Sequence, residues 1–258
     1  VKKQSVYNKI AAYMPVITIF LLVAIWYAAA LAIGKEVVFP LPHSVLAALA
    51  QMLGEGQFYL ALFNSLLKIT VSFIIALVCS VLAAVLSANV RAFEKLFYPL
   101  IVISRATPTM SIIFLCLLWF GKDISPVIVS FIVIFPLLYS SCLGAIRSCD
   151  RRLVEMSALY KVSKRTMVFK LYLPFVADKM FSEAVSILSL TVKLVIAAEA
   201  LSMSSVTLGR IMQISNDNLE TARLFAVTAV AIILSLLLEL VLNGIRKFIA
   251  RKRHGRNC

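Results

Sequence analysis

The 258-residue chain is 62% hydrophobic and only 15% charged, which is too apolar for a water-soluble domain of this length to cover its own surface. Its net charge of +14 lies in short Lys and Arg clusters between long apolar runs, with no basic stripe interleaved with aromatics, so nucleic-acid binding is not expected and lipid is the expected solvent. The five cysteines have no C-x-x-C spacing, and His43 and His254 are far apart without a carboxylate or cysteine cluster, so no metal site is expected.

A helix needs roughly 20 apolar residues to cross the hydrocarbon core. Stretches near that length occupy residues 11–33, 69–88, 97–120, 124–146, 184–201 and 224–245, which predicts six crossings. No small-residue cleavage site follows the first stretch, so it is expected to remain as a membrane span. In the second, Ala76, Ser80, Ala84 and Ala88 recur four apart and predict a small-residue face for close helix packing. The third holds Pro99 and Pro108 with Ser104, Arg105, Thr107 and Thr109; a backbone interrupted in this way survives at membrane depth only where it is buried in protein or lines a wet cavity. An ordinary proline kink is the competing reading.

Ionisable side chains inside spans are costly and are functional candidates by default. Arg105, Lys193 and Glu199 are therefore candidate substrate-pathway residues, against the alternative that they pair with neighbouring helices and only fix packing. Lys68 and Glu239 are set aside, because each can reach an interface or pair locally. Basic residues concentrate before the first span, between the second and third, between the fourth and fifth, and after the sixth. The positive-inside rule then puts both termini in the cytoplasm.

The link between the fourth and fifth spans is charged and has helical periodicity. Asp150 can cap a helix whose face carries Leu153, Met156, Ser157 and Tyr160, with Glu155 and Lys161 beside it. Ser163 can cap a second short helix ending at Leu173 and Pro174. Such a segment can lie on the lipid surface, merely connect two spans, or fit a groove on a partner.

Glu155 to Lys161, with Leu173 and Pro174 farther on, resembles the cytoplasmic signature of the binding-protein-dependent permeases of ATP-binding-cassette importers. That signature is Glu-Ala-Ala followed by a glycine and, later, Leu-Pro; here both alanines and the glycine are replaced. A lysine in the left-handed turn that the glycine makes would cost about 1 kcal/mol, so this turn is expected to be built differently. Three further segments resemble the nitrate, sulfonate and taurine branch of the family: Phe39 to Val45, Leu117 to Gly121, and Ala198 to Leu201 followed by Leu208 and Gly209.

The resemblance implies an all-α, polytopic, MetI-like type I importer permease fold with six transmembrane helices and cytoplasmic coupling helices over about residues 150–172. It divides the chain into residues 1–38, a permease core at 39–249 and a basic tail at 250–258. Asp150, Leu153, Glu155, Met156, Ser157, Tyr160 and Lys161 would dock into two cytoplasmic ABC ATPase subunits, which bind the ATP and Mg. A second permease copy or paralogue would complete the pathway in a bacterial cytoplasmic membrane. An extracytoplasmic binding protein would deliver a small solute such as a sulfonate, nitrate, taurine or a thiamine precursor. The chain itself has no phosphate-cradling G-x-x-x-x-G-K-[ST] loop and no catalytic constellation, so it is expected to be a non-enzymatic subunit without a cofactor. The alternative is a secondary transporter driven by an ion gradient through Arg105, Lys193 and Glu199, which leaves the amphipathic link unexplained.

Overall fold

The computed structural model describes residues 2–148, 156, 159–160, 162, 164–167 and 173–254, and among these the regular structure is entirely α-helical. The helices are α1 (Lys2–Ile33), α2 (Pro42–Leu53), α3 (Gly56–Asn89), α4 (Arg91–Ala106), α5 (Thr109–Arg147), α6 (Lys164–Met167), α7 (Leu173–Leu201), α8 (Leu208–Asp217) and α9 (Thr221–His254). Among the described residues, four stretches are long and apolar enough to cross a membrane: Gly56–Asn89, Thr109–Arg147, Glu183–Leu201 and Thr221–Arg246. Ile17–Ile33 is a shorter apolar stretch within α1.

The region expected to hold the third and fourth spans shows how local chemistry sets the path. Thr107 precedes a proline, which disfavours the helical region; it takes φ −74°, ψ 127° and ends α4. The expected span 97–120 is therefore not one helix but is split at Thr107–Pro108. Helical structure resumes at Thr109 and is broken again at Gly121, whose φ of 74° and ψ of 175° are open essentially to glycine alone. The chain reverses there. Beyond the reversal Arg147 pairs with Glu94, the Tyr139 ring stacks 6.1 Å from that of Phe97, and Cys116 shares a packed cluster with Val129. Residues 122–147 thus run back alongside α4 and residues 109–120.

Pro136 lies inside the returning segment and cannot donate to the carbonyl of Ile132. Ser104 of α4 supplies the missing donor at 2.9 Å. The polar group on α4 thus repairs a helix defect on its neighbour, which the sequence left open as a kink or a pathway feature.

The predicted small-residue face of α3 packs mainly on α5. Ala76, Ser80 and Ala84 are fully buried, Tyr139 donates to Ser87 Oγ at 2.8 Å, and Ser80 Oγ lies 4.0 Å from Cys142 Sγ. Ala88 is exposed instead, because every four-residue step turns about 40° past a full circle and carries it off the face. α7 packs on α5 and α9, while α1 touches the bundle mainly near its C-terminal end. There Trp26 donates to the Pro40 carbonyl at 3.1 Å and lies 5.8 Å from the Phe225 ring.

One expectation on the link is corrected. Leu173 and Pro174 do not end a helix; both lie within α7, which continues to Leu201. Asp150, Leu153, Glu155, Ser157 and Lys161 lie outside the described residues.

Candidate functional site

Two polar constellations stand out. The first is at the end of the bundle that carries α2, α8 and the Gly121 turn. Glu199, in the last turn of α7, is fully buried. Its Oε2 accepts from Ser65 Oγ of α3 at 2.7 Å and from the Gly209 amide at 3.3 Å. Ser65 Oγ in turn accepts the Leu208 amide at 2.9 Å. These amides open α8, where backbone N–H groups have no intrahelical partner and favour negative charge. Lys68 Nζ lies 3.9 Å from Glu199 Oε1 and donates to Ser204 Oγ. Asp123, just past the reversal, accepts from the Ser205 amide at 2.8 Å and from both the Ser204 and Ser205 hydroxyls.

The cluster ties together α3, the Gly121 turn of α5 and the junction between α7 and α8, and its geometry is that of packing. From sequence alone Lys68 can snorkel or pair locally; the structure instead joins it to a residue 131 positions away (199 − 68), because the turn between α7 and α8 folds back over it. Gly209 fixes the same contact sterically: a Cβ there would lie 2.4 Å from both the Glu199 Cβ and the Ile196 carbonyl oxygen. The Ala198–Leu201 and Leu208–Gly209 motifs are thus two halves of one junction. Sequence offered one signal for Lys68, its place one turn after Ser65, and none for Asp123.

The second constellation is exposed. On α7, Glu183, Ser186 and Lys193 are exposed, and Ser186 and Lys193, seven apart, lie within about 20° of one line. On one side a cavity of about 570 Å³ is lined by Arg105 of α4, by Ser140, Ser141 and Gly144 of α5, and by Glu183 and Ser186. Arg105 donates to Ser140 Oγ at 2.7 Å and to the Pro136 carbonyl at 3.3 Å. On the other side Lys193 lines a groove of about 520 Å³ between α7 and α9 with Thr228, Ser235 and Glu239. Ser189 donates to the Glu239 carboxylate. The structure therefore brings Arg105 and Lys193 to the two flanks of one open face, and puts Glu199 elsewhere. Charged groups at membrane depth do not face lipid stably, so this face requires water or protein against it.

Of the predicted docking residues, only Met156 and Tyr160 are described. Both are exposed, as are Leu159 and Val162, and the Tyr160 amide bonds the Met156 carbonyl at 3.0 Å in a helical turn. Leu159, the most exposed of these at 83%, was not among the predicted contacts.

The sequence profile of a family described as "Binding-protein-dependent transport system inner membrane component" matches residues 76–255. The chain belongs to that family. Among curated relatives, this permease is 26% identical over 164 residues to the formylaminopyrimidine transport permease protein ThiX of Halalkalibacterium halodurans, a match covering 63% of this chain and 65% of the relative. It is 24% identical over 165 residues to the riboflavin transport system permease protein RibX of Chloroflexus aurantiacus, covering 64% and 61%. The chain thus spans less than two thirds of the length of these two relatives. Among solved structures, it superposes on a chain of a bacterial ABC transporter involved in the import of the acidic polysaccharide alginate, with a TM-score of 0.63, 17% identity and coverage of 95% and 99%. An amino acid ABC transporter crystallised with histidines gives a TM-score of 0.57 at 14% identity, with coverage of 76% and 94%. At these identities the likeness concerns the fold.

Proposed function

We propose that this permease is the transmembrane subunit of an ATP-binding-cassette importer and that the open α7 face, flanked by Arg105 and Lys193, lines its translocation path. The observation that carries the reading is a row of charged and hydroxyl side chains left uncovered on a helix apolar enough to span the membrane. A second permease subunit facing that row would enclose a water-filled route. In this reading the chain crosses the bilayer six times: α1, α3, α4 with residues 109–120, residues 122–147, α7 and α9. The Arg- and Lys-rich end that carries the 149–172 link faces the cytoplasm, with both termini, and α2 and α8 face outward to a substrate-binding protein.

Met156, Leu159 and Tyr160, apolar and exposed next to basic residues, are a surface suited to the groove of a cytoplasmic ATPase subunit. ATP and Mg would be bound there and not by this chain. The named relatives transport a formylaminopyrimidine and riboflavin, and a polar heterocyclic solute suits the mixed-charge lining of the path. The test is co-purification and uptake in cells that express the permease with its cassette subunit and binding protein. Tyr160→Asp is expected to release the cassette subunit and abolish uptake, while Glu94→Gln at the Arg147 pair leaves both intact. Uptake that persists with the cassette's ATPase disabled would instead favour an ion-gradient carrier.

A further inference from the structure

The 570 Å³ cavity between α4, α5 and α7 carries opposite charges in its lining. Arg105 stands on α4, and Glu183 on α7. The Arg105 guanidinium has two of its contacts fixed, to Ser140 Oγ and the Pro136 carbonyl, both through one terminal nitrogen. A guanidinium has five N–H donors in a fork, so donors remain for a ligand while the side chain is already held in place. No ion pair joins Arg105 to Glu183 among the described residues, so each presents its charge to the cavity. The same lining carries the hydroxyls of Ser140, Ser141 and Ser186, and there is open space beside Gly144, where nothing would lie within 4 Å of a Cβ.

We propose that this cavity selects a dipolar solute, one whose anionic or acceptor end meets Arg105 and whose cationic or N–H donor end meets Glu183. The inference rests on the reading that this face lines the path, and it narrows the substrate class. A simple inorganic anion would gain from Arg105 and lose to Glu183, and a simple cation the reverse. Only a solute carrying both polarities, separated by a few bonds, satisfies both groups and leaves neither charge opposed.

The experiment uses the complete transporter, with cassette subunits and binding protein, in lipid nanodiscs. Ser186→Cys is treated with methyl methanethiosulfonate, and modification of residue 186 is followed by site-resolved mass spectrometry, which separates it from the native cysteines. The protecting probes are β-alanine, propionate and propylamine, which share a chain length and differ in charge. β-Alanine is expected to protect at a concentration at least about tenfold lower than either single-charge probe, the factor that one lost charge contact of modest strength removes. Glu183→Gln should erase its advantage over propionate, and Arg105→Gln its advantage over propylamine, with Arg105→Lys retaining part of the latter. Equal protection by propionate and β-alanine in the unsubstituted cavity, or protection by none of the probes, would overturn the proposal. The path reading fails separately: it requires the modification rate without any probe to change between nucleotide-free and vanadate-trapped transporter.

Discussion

The two polar constellations of this permease contain similar residues and are built to opposite ends. At the α8 end, Glu199, Lys68, Ser65 and Ser204 find their partners within the chain and are closed off from solvent or nearly so, and the exposed Asp123 carboxylate is held by the Ser204 and Ser205 donors. Around α7, Arg105 of α4 and Glu183 and Lys193 of α7 are exposed and open onto cavities. In an apolar surround, a charge that is paired and hydrogen-bonded specifies how helices meet. One that is left open must have something else to meet. The first arrangement reads as architecture and the second as a route.

Substitutions can break that contrast. The largest effect is expected from Glu199→Ala, which strands Lys68, the Ser65 hydroxyl and the Gly209 amide and should cost about 3–5 kcal/mol. In thermal unfolding of the detergent-solubilised protein it should fall well below Glu199→Gln, which keeps an acceptor for Ser65. Gly209→Ala is next, because its methyl would overlap the α7 backbone. A loss of about 1–3 kcal/mol is expected from overpacking, visible in the same melt and with no selective effect on any solute. Ser104→Ala leaves the Ile132 carbonyl without a donor and should cost about 1 kcal/mol, while Ser104→Thr should restore most of it. Arg105→Gln belongs to the other class: the melt should move little while ATP-dependent uptake falls at least about tenfold, a loss of roughly 1.4 kcal/mol in the path. The smallest change is expected for the partly exposed Arg147–Glu94 pair, worth less than about 1 kcal/mol and shrinking further as salt is added to the melt. If Glu199→Ala melted like the parent protein but failed to transport, the division between architecture and route would be wrong.

Much of this was legible in the sequence because bilayer thickness and periodicity leave few choices. The apolar stretches, the small-residue face of α3 and the break at Thr107–Pro108 are all local facts about hydropathy, side-chain size and proline. The Gly121 turn was legible too, as the short gap between the apolar runs at 97–120 and 124–146. What could not be read were contacts between distant residues. Whether Ser104 mended a defect at Pro136, and whether Lys68 met Glu199 or the interface, depended on which helices became neighbours. Arg105 and Glu199 looked alike as lone charges in apolar runs, and only the tertiary arrangement separates them. Glu183 was passed over because it lies at the edge of the fifth apolar run, where a carboxylate costs little and draws no notice.

The hydroxyl of Ser104 that caps the gap above Pro136 has a mechanical consequence. If α4 slid lengthwise past the returning limb of α5, the half-buried Ile132 carbonyl would lose its donor. The two limbs are thereby latched in register and travel as a single strut. Bending is left to the place where the backbone is already interrupted, the joint at Thr107 and Pro108, so conformational switching in this subunit should pivot there and not shear along the latched pair.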